Sequence, residues 1–210
     1  MGMILHINAS PRAERSYSLK AARAFIGSYL KAHPGDTLEN IDLYTEELPV
    51  FDGPVVAARY RIMHGEKHTA EDARLWKAVE KTAGDFKRAD KYVISSPMWN
   101  FGLPYRLKQY IDLIVQPGYT FSFSPEKGYQ GLVTGHPVAL FLARGGAYPE
   151  GSGAAKVDFQ KPYLEHILRF IGFTEIRVFT VEPTLQKGPQ AAEEILSTVI
   201  KEAREAAKTF

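Results

Sequence analysis

The chain has 210 residues, 45% of them hydrophobic, and a formal net charge of +2, which suits one globular domain with a full-sized core. Lys and Glu are interleaved without a basic block, which argues against nucleic acid or an anionic membrane surface as partner, and no apolar run is long enough to span a bilayer. Cys is absent, so disulfides, thiol nucleophiles and thiolate metal sites are excluded; with no basic leader or cleavable apolar segment before the first strand-like run, a cytoplasmic protein is expected.

Met3 to Ile7 is a mostly apolar run that fits a buried strand. The polar loop Asn8-Ala9-Ser10-Pro11-Arg12-Ala13-Glu14-Arg15-Ser16-Tyr17-Ser18 follows. Helical periodicity then sets Leu19, Ala22, Ile26, Tyr29 and Leu30 on one face, and Pro34-Gly35 ends the helix. Strand, loop, helix is a phosphate-binding geometry, because backbone N–H groups and the helix dipole converge at the helix start. Neither glycine fingerprint for phosphate binding is present. Ser10, Ser16 and Ser18 offer hydroxyls instead, with Arg12 and Arg15 near; taken alone, the serines are better explained by plain helix capping.

Thr37 to Leu43 alternates only partly, as an edge strand does. Phe51 to Lys67 is expected to be a long connection, carrying Tyr60 and Met63. Its His64 and His68 are separated by the helix breaker Gly65, which favours a solvated loop over a metal site. Thr69 to Asp72 resembles a capping box, and Leu75, Trp76, Val79, Ala83 and Phe86 mark the buried face of the helix it starts.

Tyr92 to Ser96 is a buried strand that stops at Pro97 and runs straight into Met98-Trp99-Asn100-Phe101. Aromatic faces with a few polar groups beyond the carboxyl end of a strand suit a flat, partly polar ring. A helix from Pro104 buries Leu107, Tyr110, Ile111 and Ile114, and Pro117-Gly118 closes it. Tyr119-Thr120-Phe121-Ser122-Phe123 alternates with period two, as a surface hairpin or an aromatic flap over a ligand would. Val138 to Ala143 is the most continuous apolar strand, followed by Arg144-Gly145-Gly146, where two glycines allow close backbone approach and an Arg suggests an anion. A helix from Pro162, a mixed strand from Ile176 to Val181 and a helix from Pro189 complete the chain.

Strands alternating with helices specify an α/β fold with a parallel sheet and right-handed crossovers. The runs at 3–7, 92–96 and 138–143 should be central and those at 37–43 and 176–181 edges. That is a flavodoxin-like three-layer sandwich with a five-stranded parallel sheet in the order 2-1-3-4-5, one domain over residues 1–210. The loops at Ser10 to Ser18, Pro97 to Phe101 and Arg144 to Gly146 then meet in one crevice. A phosphate grip beside aromatics and an Arg-Gly-Gly turn describes a flavin mononucleotide (FMN) site. The amides of Asn100 and Phe101 would face the N5–O4 edge of the ring, and those of Arg144 to Gly146 the N1–O2 edge.

These segments carry a resemblance to a known family. Asn8-Ala9-Ser10 with Ser16-Tyr17-Ser18, Pro97-Met98-Trp99-Asn100-Phe101, Gly131-Leu132-Val133-Thr134-Gly135, Arg144-Gly145-Gly146 and Tyr163-Leu164 to Gly172-Phe173 resemble the FMN-dependent NADH-azoreductases, also described as NADH:quinone oxidoreductases. The resemblance implies FMN contacts at Ser10, Ser16, Tyr17, Ser18, Met98, Trp99, Asn100, Phe101, Ala143, Arg144, Gly145 and Gly146. It implies a homodimer and a ping-pong cycle in which NADH or NADPH reduces FMN and a quinone or azo compound reoxidises it. Tyr60, Met63, Tyr119, Phe121 and Phe123 would line the acceptor pocket, in part across the dimer. Two positions depart from the family: Trp99 stands where Tyr is frequent, and Ala143 where Ser is. A flavodoxin-type electron carrier and a flavin-free binding module of the same fold are the competing classes.

Overall fold

Strands buried on both faces need apolar side chains at every position, and the three most continuous apolar runs take the interior of the sheet. In the computed structural model, which describes residues 1–210, they are β1 (Met3–Asn8), β3 (Lys91–Pro97) and β6 (Val138–Ala143). The mixed runs β2 (Thr37–Asp42) and β7 (Ile176–Val181) form the edges. The order is β2-β1-β3-β6-β7, every pair parallel. Two further strands, β4 (Phe121–Ser124) and β5 (Gly128–Gly131), pair antiparallel as a separate hairpin. The order 2-1-3-4-5 therefore describes the parallel sheet only if the hairpin is left out of the count.

Alternate residues of each strand feed two cores. Leu5, Ile7, Ile94 and Leu140 point toward α3 (Ala70–Lys87), α4 (Tyr105–Ile114) and α5 (Lys161–Ile171). Ile4, Val93, Ala139 and Phe141 point toward α1 (Tyr17–Ala32) and α6 (Gly188–Ala206). Phe210 closes the second core, its ring edge-on to Phe25 with centroids 4.9 Å apart. Trp76 is buried in the first core, as its place on the helical stripe predicts.

The connection expected over residues 51–67 contains a helix, α2 (Gly53–Met63). Asp52 caps it, accepting from the Val55 N–H, and Pro54 occupies the first turn, where a missing N–H costs nothing. Its apolar stripe is short: only Val55 and Ala58 are buried. The Arg61 guanidinium ties α2 to α3 through both oxygens of Asp72 at 3.2 and 2.5 Å. Asp72 also completes the predicted capping box with Thr69, and these bonds hold its carboxyl well below the usual carboxylate range. His64 and His68 sit beyond α2, each with Nδ1 facing a nearby main-chain carbonyl, of Tyr60 and Glu66 respectively.

The hairpin seats on the C-terminal end of α5. A Cβ on Gly131 would lie 2.4 Å from the Gly172 nitrogen and 2.5 Å from the Ile171 carbonyl carbon. Only glycine allows the two backbones to approach so closely. Phe121 and Tyr129 pack on Phe170, with centroids 4.9 and 5.6 Å away.

Candidate functional site

In a parallel sheet all carboxyl ends point one way, so the loops after β1, β3 and β6 emerge side by side. The register makes this concrete: Asn8 pairs with Ser95, and Pro97 with Ala143. Each loop presents main-chain donors that no protein group accepts.

The first loop is shaped by Asn8. Its side-chain oxygen accepts from the Ser10 N–H at 3.1 Å, and its amide donates to the Ser10 carbonyl at 3.4 Å and to Asp42 at 3.0 Å. The Ser10 hydroxyl is thereby held in a buried position with no partner in the protein. Ser16 caps α1 through the Leu19 N–H at 3.2 Å and shares a 3.1 Å hydrogen bond with Ser18. The Tyr17 and Ser18 N–H groups at the positive end of α1 are unpaired. An orphaned buried hydroxyl beside free helix-start amides is an anion site in composition and geometry.

The second loop is a two-residue turn. Trp99 and Gly102 exchange both main-chain hydrogen bonds, at 3.1 and 2.8 Å. Asn100 and Phe101 between them adopt φ of 47° and 67°. Positive φ at both central positions is the type I′ pattern, which ordinarily selects Asn followed by Gly. A phenylalanine there is strained by about 1–2 kcal/mol. Strain held by surrounding structure points toward a functional site: the Asn100 and Phe101 N–H groups face away from the turn and donate to nothing in the protein. Met98 anchors the base of the turn, its N–H donating to the Ala143 carbonyl at 2.8 Å.

The third loop offers the Gly145 and Gly146 N–H groups, also unpaired. A Cβ on Gly145 would meet Leu185 at 2.9 Å, and one on Gly146 would meet Gln186 at 3.1 Å, so the glycines keep this edge shallow. The Arg144 side chain turns into the protein, where only Nη2 is left without a partner. The anion expected for it is internal: its guanidinium is 2% exposed and pairs with Asp158 at 3.0 Å and Glu182 at 3.2 Å, with Gln160 accepting from Nε at 3.1 Å. Its main-chain carbonyl accepts from the Thr184 N–H and hydroxyl. Arg144 therefore ties the loops after β6 and β7 to the start of α5.

Beside the turn runs an open groove of about 780 Å³, walled by Val50, Phe51, Trp99, Leu103 and Tyr105 and floored by Lys108, Gln109 and Asp112. Tyr44 backs it, 6.1 Å from the Trp99 ring and 6.2 Å from Tyr105; burial pushes its phenol up to about 12. The sequence offers no signal for Val50, Phe51, Leu103 or Tyr105, which are isolated apolar residues in loops or at a helix start.

Ser10, Ser16, Tyr17 and Ser18, then Met98, Trp99, Asn100 and Phe101, and finally Ala143, Arg144, Gly145 and Gly146 are thus brought to one end of the sheet. The five residues expected to line an acceptor pocket are not brought to the groove of the same chain. Tyr60 and Met63 are exposed on the last turns of α2, with Tyr60 stacked on His64. Phe121 sits on Phe170 and Phe123 on Tyr129. Phe170 is nine residues along α5 from Lys161, roughly 14 Å at the helical rise. The phenol of Tyr119 is raised by burial and by the nearby Glu80 carboxylate of α3.

A doubly wound parallel sheet with an anion-binding helix start and a shallow amide-lined crevice defines a flavodoxin-like protein. The chain belongs to the flavodoxin-like fold family, whose model matches residues 3–207. It is 51% identical, over the full length of both chains, to a protein of Nitratidesulfovibrio vulgaris named FMN-dependent NADH:quinone oxidoreductase. Its fold matches the crystal structure of an azoreductase from Bacillus anthracis Sterne with a TM-score of 0.91 at 36% identity, each chain fully covered. A second Bacillus anthracis structure, an FMN-dependent NADH-azoreductase in complex with FMN, matches with a TM-score of 0.89 at 30% identity over 100% of this chain and 99% of that one.

Proposed function

We propose that the protein is an FMN-dependent NADH:quinone oxidoreductase that also reduces azo compounds. The observation that carries the reading is the convergence of three pairs of unpaired amides, Tyr17–Ser18, Asn100–Phe101 and Gly145–Gly146, with the orphaned Ser10 hydroxyl. FMN, when bound, supplies the two-electron hydride chemistry itself, so the protein needs no nucleophile or general base.

The residues present suit that cofactor. Ser10, Ser16 and Ser18 with the Tyr17 and Ser18 amides would hold the phosphate. The Asn100 and Phe101 amides would orient one polar edge of the ring. The Gly145 and Gly146 amides would meet the other edge, where negative charge is stabilised by fixed donors that need no rearrangement. Trp99 and the groove beside it offer an apolar surface for a planar acceptor, and donor and acceptor occupying that surface in turn gives a ping-pong order.

The reading includes a homodimer and a cytoplasmic location. Val50, Phe101, Tyr105, Phe159 and Leu185 are exposed large apolar residues on or around the site loops, a patch suited to burial against a second copy. Tyr119, Phe121 and Phe123 then reach an acceptor only from the partner subunit. No helix is long and apolar enough to cross a membrane.

Anaerobic single-turnover absorbance on FMN-loaded protein tests the reading. NADH or NADPH should bleach the flavin band and a benzoquinone restore it, with an azo dye then ranked against the quinone. Bound FMN that neither nucleotide bleaches would identify an electron carrier, and refusal of FMN would leave only a flavin-free binding module.

A further inference from the structure

A file of polar side chains crosses the α1-facing side of the sheet where apolar packing is the rule. Asn40 on β2, His6 on β1 and Ser95 on β3 stand on neighbouring strands, with His6 directly paired to Asn40 in register. His6 Nδ1 lies 3.0 Å from Asn40 Oδ1, and His6 Nε2 lies 3.0 Å from the Ser95 hydroxyl. Ser95 is in turn 3.3 Å from the side-chain oxygen of Asn8, the atom that accepts from the Ser10 N–H. His6 is 3% exposed and Ser95 fully buried.

Proton counting fixes the direction of these bonds. Asn40 Oδ1 can only accept, so His6 Nδ1 carries a proton and donates to it. Burial strongly disfavours a second proton, with Arg23 opposing and Asp42 favouring the charged ring, and the imidazole is lowered to about 4. Nε2 is then a lone pair and takes the one Ser95 proton. The Asn8 oxygen is left to the Ser10 amide alone, while the Asn8 amide is held by Asp42.

The geometry points to His6 as a positioning residue for the cofactor's phosphate: in its Nδ1-protonated form it draws the Ser95 hydroxyl away from Asn8, so that Asn8 clamps the Ser10 peptide and aims the orphaned Ser10 hydroxyl. This rests on the FMN reading above. Removing His6 alone frees the Ser95 hydroxyl for Asn8, loosens the phosphate grip and leaves the ring contacts at Asn100, Phe101, Gly145 and Gly146 intact.

The test compares FMN with riboflavin, which has the same ring and no phosphate, by fluorescence titration of apoprotein. His6→Phe, which returns the Ser95 proton to Asn8, should weaken FMN about tenfold, the scale of one hydrogen bond, and leave riboflavin affinity unchanged, whereas Ser95→Ala, which removes the competing hydroxyl, should leave both affinities unchanged. Adding Ser95→Ala to His6→Phe should recover the loss, and His6→Gln, which restores an acceptor toward Ser95, should lose less than His6→Phe. Nitrogen NMR of wild-type apoprotein should show His6 with Nδ1 protonated and Nε2 bare from pH 6 to 8. In His6→Phe, equal losses for FMN and riboflavin or no loss for either, a failure of Ser95→Ala to rescue it, or a protonated Nε2 in the wild type would overturn the relay. A wild-type protein with no preference for FMN over riboflavin would overturn the phosphate site itself, whatever the His6 tautomer.

Discussion

Arg144→Met separates an internal tie from a ligand grip. The substitution removes the charge and keeps most of the aliphatic stem. Asp158 then keeps only the Gln160 and Lys161 N–H groups, at 2.9 and 3.1 Å, and Glu182 only the Tyr148 N–H at 3.3 Å. Breaking a buried ion pair from one side costs about 3–5 kcal/mol. Glu182 is one-fifth exposed and retains some water, which sets the expected loss near the lower end, about 3 kcal/mol. For a chain of this size that lowers Tm by roughly 10 °C. Thermal and urea unfolding of the flavin-free protein should show the loss, because the tie is made without any ligand. Adding Asp158→Asn and Glu182→Gln should restore most of it. If the flavin-free Arg144→Met protein melts with the wild type and only FMN binding fails, the guanidinium serves the ligand and the assignment is wrong.

Three further outcomes follow from the geometry. Gly131→Ala forces a methyl group into the Gly172 backbone and should lower stability by about 3 kcal/mol, within the range for overpacking, whereas Gly27→Ala, in open helix surface, should raise it by about 0.8 kcal/mol; paired melts check both. His6 is neutral in the fold with its pKa lowered from 6.5 to about 4, so the unfolded chain binds more protons between those values. Its contribution is complete above pH 6.5 and is lost as pH falls toward 4, on the order of 3 kcal/mol; His6→Phe should flatten that limb of the stability–pH curve. Phe210→Ala empties a pocket between Phe25 and Tyr29 and should cost about 3 kcal/mol in urea unfolding.

The sheet was legible wherever burial on both faces forced unbroken apolar runs, as at β1, β3 and β6, and wherever one mixed face marked an edge. α2 was not, because Tyr60, Met63 and its arginines leave only Val55 and Ala58 buried, too few to show a helical period. Of the candidate site, the serine loop, the Trp99 turn and the two glycines stand out in the sequence because each is a contiguous motif at the end of a strand. The partners of Arg144 lie 14 and 38 residues downstream, and such distant pairings leave no local trace, so an external anion was the natural expectation. The groove walls at Val50 and Tyr105 were hidden for the same reason.

The turn at Trp99 assigns recognition and tuning to different parts of the chain. What faces the proposed ring edge is main chain, and a peptide N–H is the same whatever side chain it carries. Only the backbone conformation at Asn100 and Phe101 must be preserved for the cofactor to be held. The side chain at position 99, which forms one wall of the groove, is therefore free to change the acceptor surface without disturbing that grip. In the proposed reading, another aromatic there would present a different surface to the oxidant while the flavin stays in register.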